Sequence, residues 1–508
     1  MSLVRPVEHS ATSCRNPKSY SLKENNDSDS YSIDKYFTDS PSEELIHPPS
    51  ISGASFDSLR YPSNFDSEGG GYDENEMRLK LQELERALLA DNDVNFDQDY
   101  QSMDVDAEWS SPLNDDDESS LSLGSNLSTT KETSSKNPRE MLMECASAVS
   151  EGNHEEALSI LNEVRQIVSI QGDPQLRIAA YMTEGLAARM AASGKYIYKA
   201  LKCKEPPSLD RLAAMQILFE VCPCFKFGFM AANGAIIEAF KGEKRVHIID
   251  FDISQGSQYI QLIQTIATQP GNRPHLRLTG VDDPDSVQRP VGGLRLIGMR
   301  LEKLAEQLGV EFEFQAVPSK TSIVTPSMLD CRPGEALVVN FAFQLHHMPD
   351  ESVSTVNERD QLLRLVKSLK PKLVTVVEQD VNTNTAPFFP RFIEAYNYYS
   401  TVFNSLDATL PRESQDRMNV EKQCLARDIV NIVACEGEER IERYEVAGKW
   451  RARMTMAGFT SQPWTKNVVD MIRDLITQYC DRYKLKQDLG ALHFGWEDKS
   501  LIVASTWR

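Results

Sequence analysis

Acidic and amide side chains at the ends of apolar segments are the first candidates for chemistry in this sequence. The apolar run Val246-His247-Ile248-Ile249 ends at Asp250, and it reads as a buried strand that leads through a short turn into a helix. The carboxyl ends of parallel strands converge on one edge of a sheet, where nucleotide-type cofactors bind. The candidates for lining that edge are Asp250, Asp252, Gly256, Asp282 and Asn340.

The turn after Asp250 lacks most of the glycines that such a cofactor site needs. Methyltransferases with this kind of sheet carry an acidic residue followed by Gly-x-Gly-x-Gly, because the backbone must approach the ligand closely. Here Asp252 and Ser254 occupy the first two glycine positions, and only Gly256 remains. The pattern favours a structural remnant over a working site, and we expect no bound cofactor.

The pair His346-His347 is a candidate for acid–base chemistry or metal coordination, because imidazole titrates near neutral pH and binds transition metals. Adjacent residues point in different directions, however, which disfavours a shared catalytic or metal site. The close pair Cys222-Pro-Cys224 lacks a second Cys/His pair at zinc-site spacing. We therefore expect no catalytic residue and no metal site.

These residues need a scaffold to position them, and the periodicity of the chain predicts one. Residues 137–243 carry helical patterns with a break at Gly152 and a start at Pro174, which indicates an N-terminal helical cap. Over residues 244–508, apolar strands alternate with helices. This predicts an α/β fold with a doubly wound, Rossmann-like sheet of the class I methyltransferase type. The short final runs predict antiparallel strands at the sheet edge.

Residues 1–136 differ from the rest of the chain in composition, being rich in Ser, Asp, Asn, Glu and Pro. Such a segment buries too little apolar surface to offset the entropy lost on ordering. We therefore expect a disordered, acidic and Ser-rich regulatory region. A leucine stripe predicts one short amphipathic helix at residues 76–90, which either has no role or folds on a partner.

The charge and hydropathy of the chain argue against other classes of protein. A formal net charge of −21 at pH 7 disfavours a simple electrostatic DNA binder, since phosphate neutralisation supplies most non-specific affinity. The candidates for a local basic patch are Arg295, Arg300, Lys303, Lys449, Arg451 and Arg453. They are equally compatible with solvated faces. No stretch approaches the roughly 20 apolar residues of a membrane helix, so we expect no membrane partner.

Several separated motifs resemble the plant GRAS family of transcriptional regulators. Val246-His247-Ile248-Ile249-Asp250 matches the family's signature strand letter for letter, and leucine-rich regions flank it on both sides. Arg412-Glu413 matches the family's Arg-Glu motif, and Ser505-Thr506-Trp507 stands where the family commonly has Ser-Ala-Trp. The resemblance spans about residues 137–508. Segments such as LQELERALLADND resemble the scarecrow-like proteins of the phytochrome-A-signalling branch.

The resemblance implies a GRAS domain over residues 137–508, with its first leucine-rich region in the helical cap of 137–243 and its α/β core over 244–508. It implies no enzymatic activity. It also implies a nuclear regulator of development or of light, hormone or stress signalling. Its partners would be transcription factors and other GRAS proteins, in homo- or heterodimers. Because no strong run of basic residues marks nuclear import, a cytoplasmic pool is also expected.

Two alternative hypotheses stay open at this point. One is a small-molecule-binding protein of the S-adenosylmethionine type, or a methyltransferase, that uses the strand-end residues. The other is direct, sequence-specific DNA binding through the basic candidates. Within the resemblance, we expect Arg412 and Glu413 to form buried ion pairs and Trp507 to be an aromatic that closes the C-terminal subdomain.

Overall fold

The computed structural model of the chain describes residues 137–191, 209–269, 271, 273–289 and 292–508. The predictions of a disordered region over 1–136 and of a helix at 76–90 lie outside the described residues. Within the described residues, no single helix is long and apolar enough to cross a membrane. The segments Arg211–Val221 and Pro223–Phe240 meet that test only as a pair, with a bend of 80° between them.

The N-terminal part of the described chain is helical. Its helices are α1 (Pro138–Glu151), α2 (His154–Arg165), α3 (Pro174–Met190), α4 (Leu209–Val221) and α5 (Pro223–Phe240).

Local sequence sets the ends of these helices. Asn137 caps α1 by accepting a hydrogen bond from the backbone N–H of Arg139. Asp173 caps α3 by accepting from two backbone N–H groups in its first turn. Gly152 follows α1 in the left-handed conformation, at φ 81°, which an L-residue adopts only at a cost. The break at Gly152 and the start at Pro174, both predicted from sequence, are confirmed.

The second part of the chain is built on a nine-stranded sheet. Its strands are β1 (Arg245–Asp250), β2 (His275–Asp282), β3 (Phe312–Pro318), β4 (Ala336–Ala342), β5 (Leu373–Gln379), β6 (Ser461–Gln462), β7 (Tyr483–Asp488), β8 (Ala491–Trp496) and β9 (Lys499–Trp507).

The strand order is β3-β2-β1-β4-β5-β9-β8-β7, with β6 also paired to β9. Strands β1 to β5 pair in parallel, and β9 joins β5 in antiparallel fashion. The order reverses between β1 and β4, so the carboxyl ends of these two strands form the switch point at which such sheets bind ligands. The predicted doubly wound, methyltransferase-like sheet with antiparallel strands at one edge is confirmed.

Helices connect and follow the strands. They are α6 (Ser257–Thr268), α7 (Pro284–Val287), α8 (Leu294–Gln307), α9 (Glu358–Ser368), α10 (Phe388–Thr409), α11 (Gln415–Val420), α12 (Ala426–Ala434), α13 (Ala447–Met456) and α14 (Lys466–Thr477). A π-helical turn, Glu421–Leu425, joins α11 to α12. Short 3₁₀ turns lie at Thr321–Ile323, Pro326–Leu329, Leu345–His347 and Gly437–Glu439.

The helical cap is assembled from two separate stretches of the chain. Helices α10 and α12 pack against α3 and share an apolar core with α1 and α3. The buried guanidinium of Arg177 on α3 donates to Glu421 at 3.0 Å and to Asp407 at 2.9 Å. The prediction of a cap formed by residues 137–243 is therefore incomplete, because the insertion after β5 completes the cap.

Helix α5 crosses the centre of the sheet at a glycine. A Cβ atom added to Gly228 would lie 2.6 Å from Val377 Cγ1 on β5 and 3.2 Å from Ile502 Cγ2 on β9. Only a residue without a side chain allows this approach. The helix also brings Phe225 and Phe229 to the cavity beside the carboxyl ends of the strands.

Candidate functional site

Asp250, at the end of β1, lies in a buried hydrogen-bond network. Its Oδ2 accepts from Asn340 Nδ2 at 2.8 Å and from the Tyr259 hydroxyl. Its Oδ1 accepts from the backbone N–H of Asp252 at 2.8 Å. Asn340 Oδ1 in turn accepts from the Thr375 hydroxyl at 2.6 Å. Burial raises the pKa of Asp250 to about 6, although these hydrogen bonds favour the carboxylate.

Gln258 and Asn233 extend this network into the helices. Gln258 Oε1 accepts from Asn340 Nδ2 at 3.0 Å, and Gln258 Nε2 donates to Asn233 Oδ1 at 3.1 Å. Asn233 Nδ2 donates to the backbone carbonyl of Gln258 at 2.9 Å. All of these side chains are buried. Asp250 and Asn340, which the sequence predicted as ligand-binding candidates, are thus hydrogen-bonded to other protein groups.

The turn from Asp252 to Gly256 is stabilised by a hydrogen bond from its backbone to one of its own side chains. Asp252 Oδ1 accepts from the backbone N–H of Ser254 at 3.0 Å, and Ser254 adopts a left-handed φ of 53°. Gly256 follows at φ 80°, and an added Cβ would lie 3.0 Å from Ile297 Cγ2. Gly256 is thus required by its conformation and by the packing of α8, independently of any ligand.

His247 of the signature strand is also a buried structural group. Its Nδ1 lies 3.0 Å from Arg277 Nη2, and its Nε2 lies 2.8 Å from Thr279 Oγ1. Because arginine only donates, Nδ1 must accept, and the neutral ring carries its proton on Nε2. Burial and the neighbouring Arg277 lower the pKa of His247 to about 4. Arg277 also bonds Glu335, which joins β1 and β2 to the segment before β4.

A cavity of about 300 Å³ opens beside the Asp250 network. Of the five edge candidates, Asp252 lines this cavity, whereas Asp250, Gly256, Asp282 and Asn340 are not among its lining residues. Asp282 ends β2, and burial together with the charge of Asp252 raises its pKa to about 7. The five candidates thus differ in access: Asp252 lines the cavity, whereas Asp250 and Asn340 bond to each other in the buried network.

The walls of the cavity combine aromatic and charged side chains. The aromatic wall is formed by Phe219, Phe225, Phe229 and Phe343. The charged residues that face them include Arg211, Arg427, Asp428, His346 and Glu442. Most of these residues lie on the cap or its insertion, so the sequence had no local signal that would place them at the strand ends.

His346 and His347 lie in the 3₁₀ turn after β4 and meet acids that are distant in sequence. His346 Nδ1 lies 2.6 Å from Glu378 Oε2, and its Nε2 lies 3.3 Å from Glu442 Oε2. His347 Nε2 lies 3.4 Å from Glu442 Oε1. Burial lowers the pKa of His346, but the two acids outweigh burial and raise it to about 9. The sequence singled out the two histidines and missed both glutamates.

The expectation of buried ion pairs at Arg412-Glu413 is wrong. Glu413 is exposed, and the side chain of Arg412, 49% exposed, pairs with Asp407 at 3.1 Å. The backbone carbonyl of Arg412 accepts a partly buried hydrogen bond from Arg417 at 2.7 Å. Trp507 is buried, and its Nε1 donates to Ser505 Oγ at 2.9 Å. Trp507 is the last residue of β9 and is the register partner of Val374 on β5.

The basic candidates are divided between the surface and the interior. Arg295, Lys303 and Arg451 are exposed, whereas Arg300 and Lys449 are half-buried. Arg453 is buried among acids: it donates to Asp350 at 2.8 Å, to Glu351 at 2.9 Å and to Asp360 at 3.2 Å. Arg453 is therefore not available to a nucleic acid in this structure.

The fold and the site together define a class of protein: a Rossmann-like, methyltransferase-type scaffold under a helical cap, with internal side chains bonded across its strand-end edge. The chain belongs to the GRAS domain family, whose family model matches residues 138–508. It is a plant transcriptional regulator of the scarecrow-like group, as its relatives indicate.

These relatives match the chain over most of its length. Scarecrow-like protein 1 of Arabidopsis thaliana is 60% identical, over 100% of this chain and 98% of that protein. Scarecrow-like transcription factor PAT1 of Arabidopsis thaliana is 50% identical, over 85% of this chain and 86% of that protein. The crystal structure of SCL7 in Oryza sativa matches with a TM-score of 0.63 at 31% identity, over 74% of this chain and 100% of that one.

Proposed function

We propose that this chain regulates transcription through protein partners, as a co-regulator bound to transcription factors and to other GRAS proteins in homo- or heterodimers. It acts in development or in light, hormone or stress signalling, from the nucleus and with a cytoplasmic pool. The name of the relative PAT1, a transcription factor, supports the regulatory role. The finer assignment of partners rests on the physical properties of the site and the surface.

The main support for the proposal is that the polar side chains at the carboxyl ends of β1 and β4 already have hydrogen-bond partners within the protein. Asp250 and Asn340 are each bonded to several internal groups. A ligand that used them would have to break buried hydrogen bonds, at a cost of about 1–3 kcal/mol for each group left unsatisfied. The edge therefore works best as a rigid support for outer surfaces.

Exposed apolar side chains on the two leucine-rich regions supply such surfaces. Most apolar residues of α8 are core, as with Leu294 and Leu301, but Met299 is 57% exposed. On α2, Leu158 is 50% exposed and Ile167, just after the helix, 43%. Apolar groups that stay in water on otherwise core-facing helices are candidates for partner contacts.

The experiment uses the full chain in plant protoplasts, fused to a heterologous DNA-binding domain and a reporter gene. Reporter output should change several-fold relative to the DNA-binding domain alone. Met299→Glu should reduce recovery of transcription-factor partners in co-precipitation, whereas the matched control Leu489→Glu, at a residue 69% exposed on the β7–β8 turn, should leave it unchanged. Unchanged reporter output together with equal recovery of partners by both variants contradicts the proposal.

The methyltransferase alternative makes a separate prediction. Calorimetric titration of the purified 137–508 fragment with S-adenosylmethionine should give no saturable heat. Replacing Asp252 and Ser254 with glycine removes the side-chain hydrogen bond of this turn. Binding by the glycine variant alone would show that these two side chains block the site. Micromolar binding to the unmodified fragment would favour the enzyme hypothesis.

Fewer basic side chains are available for direct DNA binding than the sequence suggested, because Arg453 is buried among acids. Binding to duplex DNA should be weak even at low salt. A steep fall of affinity with salt would indicate several phosphate contacts. A slope smaller by about one in Arg295→Ala would place one of those contacts on α8.

A further inference from the structure

We propose that His346, His347 and Glu442 form a binding site for a divalent transition-metal ion of the zinc class, open to the cavity beside the strand ends. The three side chains offer ligand atoms that all lie within 4.8 Å of one another. The first two stand in the turn after β4, and Glu442 stands in the segment that follows the 3₁₀ turn Gly437–Glu439.

Each histidine lies near Glu442 at a distance close to the ligand separation of a tetrahedral site. The Nε2 atoms of His346 and His347 lie 3.3 Å and 3.4 Å from the two carboxylate oxygens of Glu442. Ligands bound at about 2.0–2.1 Å in a tetrahedron are themselves separated by roughly 3.3 Å. Both contacts are longer than the 2.7–3.2 Å typical of N–H···O hydrogen bonds. Because the two distances end on different oxygens of Glu442, a bound ion requires the three side chains to draw together from separations of up to 4.8 Å.

A carboxylate behind the site orients the first histidine. Glu378, fully buried, lies 2.6 Å from His346 Nδ1 through its Oε2 and accepts from the backbone N–H of Leu345 at 2.8 Å through its Oε1. The ring is thereby fixed with Nε2 toward Glu442. Metal-ligating histidines commonly bond such a carboxylate through their other nitrogen, which sets the ring orientation and raises its basicity.

The surroundings favour a cation in the same place. Asp252 and Asp428 also line the cavity, and the Tyr444 hydroxyl donates to Glu442 Oε2 at 2.7 Å. A dication would offset part of this concentration of carboxylates, since buried charges are stable only when paired or metal-bound. Arg211 and Arg427, which also line the cavity, offset part of this negative charge.

The ligand set indicates which ion is bound. Two imidazoles and one carboxylate suit zinc and its neighbours, whereas magnesium and calcium prefer oxygen ligands. Three protein ligands leave a fourth position open toward the 300 Å³ cavity, the arrangement in which zinc holds water or an external ligand. The ion would also join the turn after β4 to the segment after the cap insertion, and so stabilise the fold by binding the native state alone.

The test uses the full chain, purified without a chelator and without a polyhistidine tag, and titrated with zinc chloride. His347→Gln is the informative variant, because its side chain is 40% exposed and its loss should not unfold the protein. His154→Gln, at an exposed position on α2, is the matched control. Glu442→Gln is a second variant, checked by circular dichroism for folding.

We expect one zinc ion per chain with micromolar or tighter affinity, a rise in Tm on binding, and visible d–d bands of tetrahedral cobalt when Co²⁺ replaces zinc. His347→Gln should weaken binding at least tenfold and remove the cobalt bands, and His154→Gln should leave both unchanged. Absence of binding, or equal binding by the two histidine variants, overturns the proposal and leaves the cluster as an ion-pair network.

Discussion

Asn340 on β4 and Asp250 on β1 are direct partners in the parallel register of the two central strands, and the Asn340 amide donates to the Asp250 carboxylate at 2.8 Å. The hydrogen bond crosses the switch point where an α/β sheet of this kind receives its ligand. In this chain the switch point therefore belongs to the core, and the nearby cavity is lined by other residues.

Replacing Asn340 tests how far that network supports the fold. Asn340→Ala removes a donor to Asp250 and the acceptor for Thr375, and we expect a loss of about 2–4 kcal/mol in the free energy of unfolding. Thr375→Val removes one hydroxyl and should cost about 1 kcal/mol. Denaturant titration of both variants is the measurement. A loss below about 0.5 kcal/mol for Asn340→Ala would show that water or a neighbour replaces the amide.

Arg453 should be a large contributor to stability, in contrast to its neighbour Arg451. Arg453→Ala removes the arginine that donates to the buried carboxylates of Asp350 and Glu445 and leaves Arg359 as their remaining arginine, at the longer distances of 3.6 Å and 3.5 Å. Breaking a buried ion pair typically costs about 3–5 kcal/mol. Arg451→Ala, at an exposed position on the same helix, should change stability by less than about 0.5 kcal/mol. Equal Tm values for the two variants would contradict the buried network.

Two glycine-to-alanine substitutions should have opposite signs. Gly298 on α8 packs so closely on Phe314 that an added Cβ would lie 2.0 Å from the ring, whereas Gly448 on α13 has no atom within 4 Å of that position. Gly298→Ala should destabilise by about 1–3 kcal/mol through overpacking. Gly448→Ala should stabilise by about 0.4–1 kcal/mol by restricting the unfolded chain. Thermal unfolding of both distinguishes packing from helix propensity, since propensity alone would make both stabilising.

Asp282 should make stability depend on pH. Its folded pKa is raised to about 7 from 3.8, by burial and by the charge of Asp252. The folded state therefore holds this proton more tightly than the unfolded state. Its contribution is fully present below the unfolded pKa and is lost as the pH rises through about 7. Asp282→Asn lacks this loss, so its stability advantage over the unmodified protein should grow between about pH 4 and 7, by roughly 1–4 kcal/mol, and level off at higher pH.

The measurement for Asp282 is chemical denaturation of both proteins across that pH range. Glu302→Gln, at an exposed position on α8, is the control for the loss of one negative charge from the protein. A constant difference for Asp282→Asn would mean that water solvates the Asp282 carboxylate more than its burial indicates.

Local sequence determined the parts of this protein that depend on near neighbours in the chain. The caps at Asn137 and Asp173, the strand–turn–helix at residues 245–268 and the lost glycines at Asp252 and Ser254 follow from spacing and side-chain chemistry, and so does the doubly wound order of elements. The caps are local because hydrogen bonds within one turn fix them, and the order of elements follows from the alternation of strand and helix patterns along the chain.

Only the tertiary structure decided which side chains meet. The sequence placed Asp250, Asp282 and Asn340 at one ligand edge, but packing of α5 and α6 encloses Asp250 and Asn340 in a buried network, whereas Asp282 interacts with the charge of Asp252. The fold also brings Glu378 and Glu442, which are distant in sequence, beside His346. Such contacts depend on how the cap insertion closes over the sheet, and no residue spacing encodes that closure.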